Sequence, residues 1–334
     1  MRGPTRRAML QGSAALLAAG CGRDDDLVES FSRGPSDLSS LPANAAAADA
    51  PSAAGAQRFT LKYAPHFGQF DQLAGPEYLD QLAFAADQGF RAWEDNIVNY
   101  RPVDQQEAIA AEMARLGMQM GVFVAADSAR QPDLLLTEGD EDALAFFLDS
   151  VTQSVDVARR MNAKWMTVLT GYRHPTLNDE VQKANLIDAL RRACDIVEPH
   201  DLVLVLEPVN SRIDFPDLFL DNVADGYLIC RAIDRPSCKL LFDIYHKQVT
   251  SGNIINDLEA TWDQVAYIQV ADHPGRNEPT TGEINYINVF QFLHEHGYEG
   301  IIGAEHGVSG DGAQGERDMI EAYRYCDSFI GAPV

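Results

Sequence analysis

From Phe59 onward the sequence repeats one unit: a short apolar run, a polar loop, a stretch with helical spacing of apolar residues, and often a glycine. Continuous apolar runs such as LVLVL at residues 202–206 are typical of parallel strands that are buried on both faces. Eight runs are predicted as strands: Phe59–Ala64, Arg91–Asp95, Gln119–Ala125, Trp165–Thr170, Leu202–Glu207, Lys239–Asp243, Val265–Val270 and Gly300–Glu305. Eight strand–helix units fit a single closed (β/α)8 TIM barrel over residues 58–334.

The stretches between these runs have the start and stop signals of helices. Tyr78–Gln88, Gln105–Leu116 and Val289–His296 are each followed by a glycine, which is the preferred residue just past a helix end. Glu141–Met161 is the longest helical stretch, with apolar residues on one face. An open doubly wound sheet is the alternative architecture, but no GxGxxG or GxxxxGK[ST] loop follows any of the eight runs.

The first 57 residues do not follow this pattern. Residues 1–21 combine adjacent arginines, Arg6 and Arg7, with a short apolar run, and they resemble a twin-arginine export signal. LAAGC, ending at Cys21, resembles a lipobox; whether Cys21 carries a lipid or the signal is cleaved without lipidation stays open. Residues 22–57 are rich in Ala, Ser, Asp and Pro and are predicted to be a disordered tether. We therefore expect a bacterial periplasmic protein, either free or anchored to the membrane as a lipoprotein.

Charge and cysteine content exclude several classes of function. The formal net charge is −24, from 50 acidic and 26 basic residues, which argues against nucleic-acid binding because phosphates require Lys and Arg. The cysteines beyond Cys21 form no CxxC pair, so no zinc ribbon or redox motif is indicated. Cys194, Cys230, Cys238 and Cys326 are predicted to be small buried residues.

Oxygen-bearing side chains lie at the C-terminal rim of four consecutive predicted strands. They are Glu207, Asp243, Gln269 and Glu305, and successive members are about one strand–helix unit apart. Each alone has an ordinary explanation, since a carboxylate can cap the next helix and a glutamine can be a hydrogen-bonded core amide. Together, at one rim of a barrel, they predict a cage of hard oxygen ligands suited to Mg²⁺ or Mn²⁺.

Other polar residues lie near the C-terminal ends of predicted strands. His246, three residues after Asp243, is interpreted as a substrate contact; the alternatives are a residue that orients a metal ligand and a hydrogen-bonded surface histidine. Arg276 either clamps a substrate carboxylate or forms a salt bridge with Glu278 or Glu283. His66 and Glu94, at the ends of the first two strands, are further candidates for the pocket lining, His66 as a substrate ligand.

Several motifs resemble the hydroxypyruvate isomerase family of the xylose-isomerase-like barrels. They are LEPVNSRIDFPDLFL, FDIYHKQV, YIQVADHPGRNEPTTGEINY and GAEH, all at or beyond residue 206. The resemblance implies a divalent-metal-dependent isomerase with metal ligands Glu207, Asp243, Gln269 and Glu305. It also implies that Glu207 and Glu305 are the catalytic glutamates. The loop ADHPGRNEP differs from the usual ADNPGRHEP, as if His273 and Asn277 were exchanged.

The expected reaction converts hydroxypyruvate to tartronate semialdehyde through an enediolate. The expected partner is a small carbonyl or hydroxy substrate; no nucleic acid is expected, membrane contact would be through the lipid anchor only, and a homo-oligomer is compatible with the sequence. Three alternatives stay open: a sugar or inositol-derivative epimerase or isomerase, a phosphodiesterase of the endonuclease IV type, and a non-catalytic lipid-tethered binding protein. The phosphodiesterase is disfavoured because its site requires a cluster of histidines for several zinc ions, in which these strand ends are poor.

Overall fold

A computed structural model of the chain describes residues 58–126 and 136–329. The strands are β1 Lys62–Ala64, β2 Ala92–Trp93, β3 Gln119–Met120, β4 Phe123–Ala126, β5 Trp165–Val168, β6 Val203–Leu206, β7 Cys238–Asp243, β8 Val265–Gln269 and β9 Ile301–Gly303. The α-helices are α1 Tyr78–Asp87, α2 Val103–Leu116, α3 Glu141–Met161, α4 Asp179–Val197, α5 Val223–Ile233, α6 Ile244–Thr250, α7 Ile254–Thr261, α8 Tyr286–Glu295 and α9 Gly312–Cys326. Each predicted strand overlaps an observed one, and the third overlaps both β3 and β4.

The strands form a TIM-barrel-like arrangement in two parallel sheets. One sheet has seven strands in the order β1-β9-β8-β7-β6-β5-β4, and the other consists of β2 and β3. Single hydrogen bonds connect the two sheets: the Glu94 N–H donates to the Pro65 carbonyl at 2.9 Å, and the Val124 N–H donates to the Asn96 carbonyl at 3.3 Å. The two-stranded sheet therefore fills the gap between β1 and β4, although no regular ladder among the described residues closes the ring.

The alternation of side chains along each strand creates two apolar layers. On β6, Val205 belongs to a buried cluster inside the barrel, whereas Leu204 and Leu206 belong to the larger core beneath the helices. Strand side chains point alternately to opposite faces, so a continuous apolar run serves both layers. Burial of each such leucine contributes about 1.5–3 kcal/mol. This double burial explains why LVLVL contains no polar position.

The predicted helices are present, with ends shifted by up to three residues: α1 ends at Asp87 rather than Gln88, and α8 spans Tyr286–Glu295 rather than Val289–His296. Helix α3 has the predicted bounds, and its N-cap Asp140 accepts a hydrogen bond from the Ala143 N–H at 2.9 Å. Helix α2 begins two residues earlier than predicted, directly after Pro102, and ends before Gly117 with φ 68°. This φ lies in the left-handed region, which glycine adopts without steric cost.

The four cysteines of the barrel are free and buried, as predicted. Among residues 58–126 and 136–329, no helix is long and apolar enough to cross a membrane. The predicted export signal, Cys21 and the predicted tether lie outside the described residues, so these assignments stay predictions.

Candidate metal centre and active site

The four oxygen-bearing side chains predicted from the sequence stand at one end of four neighbouring strands. Glu207 directly follows β6, and Glu305 lies two residues beyond β9. Asp243 and Gln269 are the last residues of β7 and β8, and they pair with each other in the strand register. Gln269 in turn pairs with Gly303, the last residue of β9. This is the end of a parallel barrel at which active sites are built.

Three carboxylates and one imidazole converge there. Glu207, Asp243, His246 and Glu305 each offer one ligand atom, and these atoms all lie within 4.8 Å of one another. Glu305 is partly exposed and the other three residues are buried. The structure thus brings three of the four predicted ligands together, with the fourth, Gln269, on the strand between Asp243 and Glu305.

Two oxygens at this site are buried without a donor. Within the part of the chain that the structure describes, Asp243 Oδ2 and Gln269 Oε1 have no hydrogen-bond partner. The other Asp243 oxygen, Oδ1, accepts from the His246 backbone N–H at 2.7 Å. A buried unpaired oxygen costs about 1–3 kcal/mol, and a divalent cation is a partner that would satisfy both. The donor set therefore fits a metal ion that prefers oxygen ligands.

The crowding of carboxylates changes their acidity. Burial, followed by the charge of Glu305, raises the pKa of Asp243 to about 7 and that of Glu94 to about 8. Burial, followed by the charges of Glu305 and Asp243, raises the pKa of Glu207 well above its usual value. Like charges in a low-dielectric site cannot all ionise unless a cation is present. Without a cation, some of these groups hold protons near neutral pH.

Arg276 supplies a positive charge beside the cluster. Its Nη2 donates to Glu305 Oε2 at 2.8 Å, and its guanidinium lies 5.1 Å from the centroid of the Tyr245 ring. Burial lowers the Arg276 pKa, but the facing charges of Glu305 and Asp243 outweigh this and raise it above its ordinary value. The side chain is therefore a fixed cation.

The salt-bridge partner of Arg276 is neither of the two residues considered from the sequence. Glu278 instead accepts from the Ser309 N–H at 2.9 Å, and Glu283 accepts from Gln248 Nε2 at 2.9 Å. Both acidic side chains thus brace loops around the site.

The imidazole of His246 presents an N–H to the cluster. Its Nδ1 accepts from the Asn210 backbone N–H at 3.2 Å, and Asn210 Nδ2 lies 2.7 Å from the same atom. Burial and then the charge of Arg276 lower the His246 pKa well below its usual value, so the ring is neutral. With Nδ1 accepting, the proton is on Nε2, which lies 3.8 Å from Glu207 Oε1. With its proton on Nε2, His246 is better suited to donate a hydrogen bond to a substrate oxygen than to ligate a metal.

The sequence as a whole identifies the family. The family model described as xylose isomerase-like TIM barrel matches residues 82–327. The chain belongs to the xylose isomerase-like TIM barrel family. Relatives include the hydroxypyruvate isomerase of Escherichia coli, which is 28% identical over 75% of this chain and 93% of that protein. They also include the 2-oxo-tetronate isomerase of Cupriavidus necator, which is 30% identical over 69% of this chain and 86% of that protein.

Solved structures share the fold. The 3-keto-D-glucoside 4-epimerase of E. coli superposes with a TM-score of 0.66 at 18% identity, covering 80% of this chain and all of that one. At this identity the likeness concerns the architecture alone.

The predicted roles of His66 and Cys21 stay predictions. His66 lies at the rim next to Glu305: its Nε2 is 3.1 Å from the His306 carbonyl oxygen and its Nδ1 is 2.9 Å from that of Phe67. This placement is compatible with a substrate contact. Cys21, the predicted lipidation site, lies outside the described residues.

Sequence reasoning missed several polar residues around the cluster. Asn210, three residues after Glu207, sets the tautomer of His246, and Asn96, two residues after Glu94, donates to Glu305 Oε1 at 3.0 Å. Both asparagines follow strand ends, which was the available signal. A third residue, Tyr267, lies within β8, and nothing in its sequence position distinguishes it from an ordinary core aromatic.

Proposed function

We propose that the protein is a divalent-metal-dependent isomerase that interconverts hydroxypyruvate and tartronate semialdehyde. The observation that carries this proposal is the convergence of Glu207, Asp243 and Glu305 at the C-terminal end of the barrel, with unpaired oxygens on Asp243 and Gln269. The two curated relatives described above are both named as isomerases of small molecules, which supports the same reaction class.

Glu207, Asp243, Gln269 and Glu305 would hold the cation. Carboxylate and amide oxygens favour Mg²⁺ or Mn²⁺ over metals that prefer thiolates. When bound, such an ion supplies Lewis-acid polarisation of a carbonyl and charge stabilisation for an enediolate. It would also lower the pKa values of the crowded carboxylates, which then become available as bases.

The two glutamates move the proton between carbons. In hydroxypyruvate, one of them, Glu207 or Glu305, removes a proton from the hydroxymethyl carbon, and the electron pair forms the carbon–carbon double bond of the enediolate. The same or the opposed glutamate returns a proton to the former carbonyl carbon, while the hydroxyl proton passes from one oxygen to the other. No redox partner is needed, because one carbon is oxidised as its neighbour is reduced.

Two other side chains orient the substrate. The Nε2–H of His246 faces Glu207 and can donate to a substrate oxygen near that carboxylate. Arg276, partly buried and charged, is the cation best placed to meet the substrate carboxylate, and its Nε has no hydrogen-bond partner among the described residues. A guanidinium that already holds Glu305 would then fix the substrate relative to a catalytic base.

The test uses protein lacking its first 57 residues, stripped of metal and reloaded with Mg²⁺ or Mn²⁺. Isomerisation of hydroxypyruvate is followed beside 2-oxo-tetronate and a panel of neutral ketoses and inositol derivatives. We expect chelator-sensitive turnover of hydroxypyruvate that Glu305→Gln abolishes, with an unchanged far-ultraviolet circular dichroism spectrum. Turnover confined to a neutral sugar would make the protein an epimerase or sugar isomerase. No chelator-sensitive turnover of any compound would favour a binding protein.

A further inference from the structure

Glu94 is a buried carboxylate outside the predicted ligand set. It follows β2 and is only 1% exposed. Burial of a carboxylate costs several kcal/mol unless donors surround it. Three donors do so: Tyr267 Oη at 2.8 Å to Oε2, and Gln269 Nε2 at 2.9 Å and Asn96 Nδ2 at 3.1 Å to Oε1. Such complete solvation by the protein indicates a position built for this side chain.

The contact with Gln269 has a direct consequence for the amide. In its ionised form, which a bound cation favours, the Glu94 carboxylate only accepts hydrogen bonds, so it selects the NH2 end of the glutamine and repels the oxygen end. Gln269 Oε1 is thereby turned away from Glu94, and this is the oxygen that is buried without a partner. Since Gln269 pairs with Asp243 in the strand register, its free oxygen belongs to the same rim as the unpaired Asp243 Oδ2.

Glu94 is also connected to a second residue of the cluster. The Nδ2 of Asn96 donates to Glu94 Oε1 at 3.1 Å and to Glu305 Oε1 at 3.0 Å. One amide group with two N–H bonds thus bridges the two carboxylates. Glu94 is therefore linked both to the amide and to one of the glutamates of the proposed centre.

Two glycines make room for this arrangement. A Cβ at Gly303 would overlap Glu94 Oε2, and a Cβ at Gly121 would overlap the Tyr267 hydroxyl. Neither glycine is among the residues with positive φ, so space rather than backbone conformation requires them. Two parts of the barrel wall are thus shaped around the pair formed by Glu94 and Tyr267.

We propose that Glu94 is a positioning residue of the metal centre, which holds the Gln269 amide with its oxygen toward the cation and, through Asn96, holds Glu305. This role rests on the metal-dependent function proposed above. The competing explanation is a hydrogen-bonded core network that contributes to stability alone. The two explanations differ in one measurable quantity, the affinity for the cation, because only the positioning role makes that affinity depend on Glu94.

The experiment measures Mn²⁺ affinity and stability separately. Metal-stripped wild-type protein, E94Q and E94A are titrated with Mn²⁺ while free Mn²⁺ is followed by electron paramagnetic resonance. Thermal unfolding of each protein is recorded in EDTA. The matched control is E316Q: Glu316 is 4% exposed and accepts from the backbone N–H groups of Gln72 and Leu73, remote from the cluster in its contacts.

Loss of an outer partner of a metal ligand typically weakens metal binding 10–100-fold. We expect the Mn²⁺ Kd to rise ~10-fold in E94Q, in which the amide can also donate to the wrong end of Gln269, and up to ~100-fold in E94A. E316Q should lose stability in EDTA but keep its Mn²⁺ Kd.

Two results would overturn the inference, and they are distinguishable. Wild-type Mn²⁺ affinity in E94A, or in E94Q if E94A does not fold, overturns the positioning role alone and leaves the metal-dependent function standing. Failure of the wild-type protein itself to bind Mn²⁺ overturns both.

Discussion

Cation binding at the cluster should depend steeply on pH. Asp243 has a pKa of about 7 in the cation-free protein, and the pKa of Glu207 is raised well above its usual value by burial and by its acidic neighbours. Only ionised carboxylates ligate a metal, so below about pH 7 a cation must displace protons to bind. Affinity should therefore rise with pH and level off once these groups are ionised.

The size of the effect follows from the number of protons displaced. Each proton released on binding changes the apparent Kd about tenfold per pH unit. Displacement from Asp243 alone gives about tenfold weaker binding per unit below pH 7, and displacement from Asp243 and Glu207 together gives about a hundredfold.

Isothermal titration of metal-stripped protein with Mn²⁺ tests this between pH 5.5 and 8. Repeating each titration in buffers of different ionisation enthalpy counts the protons released directly. D243N removes one titrating ligand, so its affinity should be lower but its dependence on pH should be shallower by about one proton. A Kd that stays constant from pH 5.5 to 7.5, with no proton release, would refute the reasoning.

Three further results follow from the same geometry. In EDTA, the free energy of unfolding should fall as pH rises from about 4.5 to 8, because the raised pKa values of Asp243 and Glu94 let the native state bind more protons than the unfolded chain in that window. The melting temperature should therefore fall across this range, whereas carboxylates with lowered pKa values would make it rise. A rising melting temperature would contradict the prediction. Gly303→Ala places a Cβ against Glu94 and should destabilise the protein by about 1–3 kcal/mol in denaturant unfolding. An unchanged denaturant midpoint would show that the surrounding side chains move to accommodate the methyl group. Arg276→Met should raise KM for hydroxypyruvate at least ~10-fold, about 1.4 kcal/mol, since the substrate carboxylate loses its partner; an unchanged KM would place that carboxylate elsewhere.

Local rules were sufficient to predict much of the fold. The bounds of α3 and the glycine that ends α2 depend on residues within one or two turns, which the sequence displays directly. The rim positions of Glu207, Asp243, Gln269 and Glu305 required only the additional rule that parallel strands end at one face. Strand-end position therefore carried most of the information about the site.

Partner choice could not be predicted in the same way. Arg276 has φ 52° in its loop, and this backbone conformation, rather than sequence distance, takes its side chain to Glu305 instead of the nearer Glu278 or Glu283. The bond between Tyr267 and Glu94 joins residues 173 positions apart. Each of these contacts depends on how loops and strands meet in space, and a single sequence contains no local pattern for that.

The balance of charge at the site suggests that the cation must bind before an anionic substrate. Glu94, Glu207, Asp243 and Glu305 face a single described guanidinium, that of Arg276, which is already paired with Glu305. Without a divalent ion, a substrate carboxylate entering this pocket meets net negative charge or carboxyls that must stay protonated to avoid it. With part of that charge neutralised by a divalent cation, Arg276 could meet the substrate carboxylate while it keeps its contact with Glu305. Hydroxypyruvate should therefore fail to raise the melting temperature in EDTA but should raise it once Mn²⁺ is present. Equal stabilisation in both conditions would show that the substrate carboxylate is held independently of the metal.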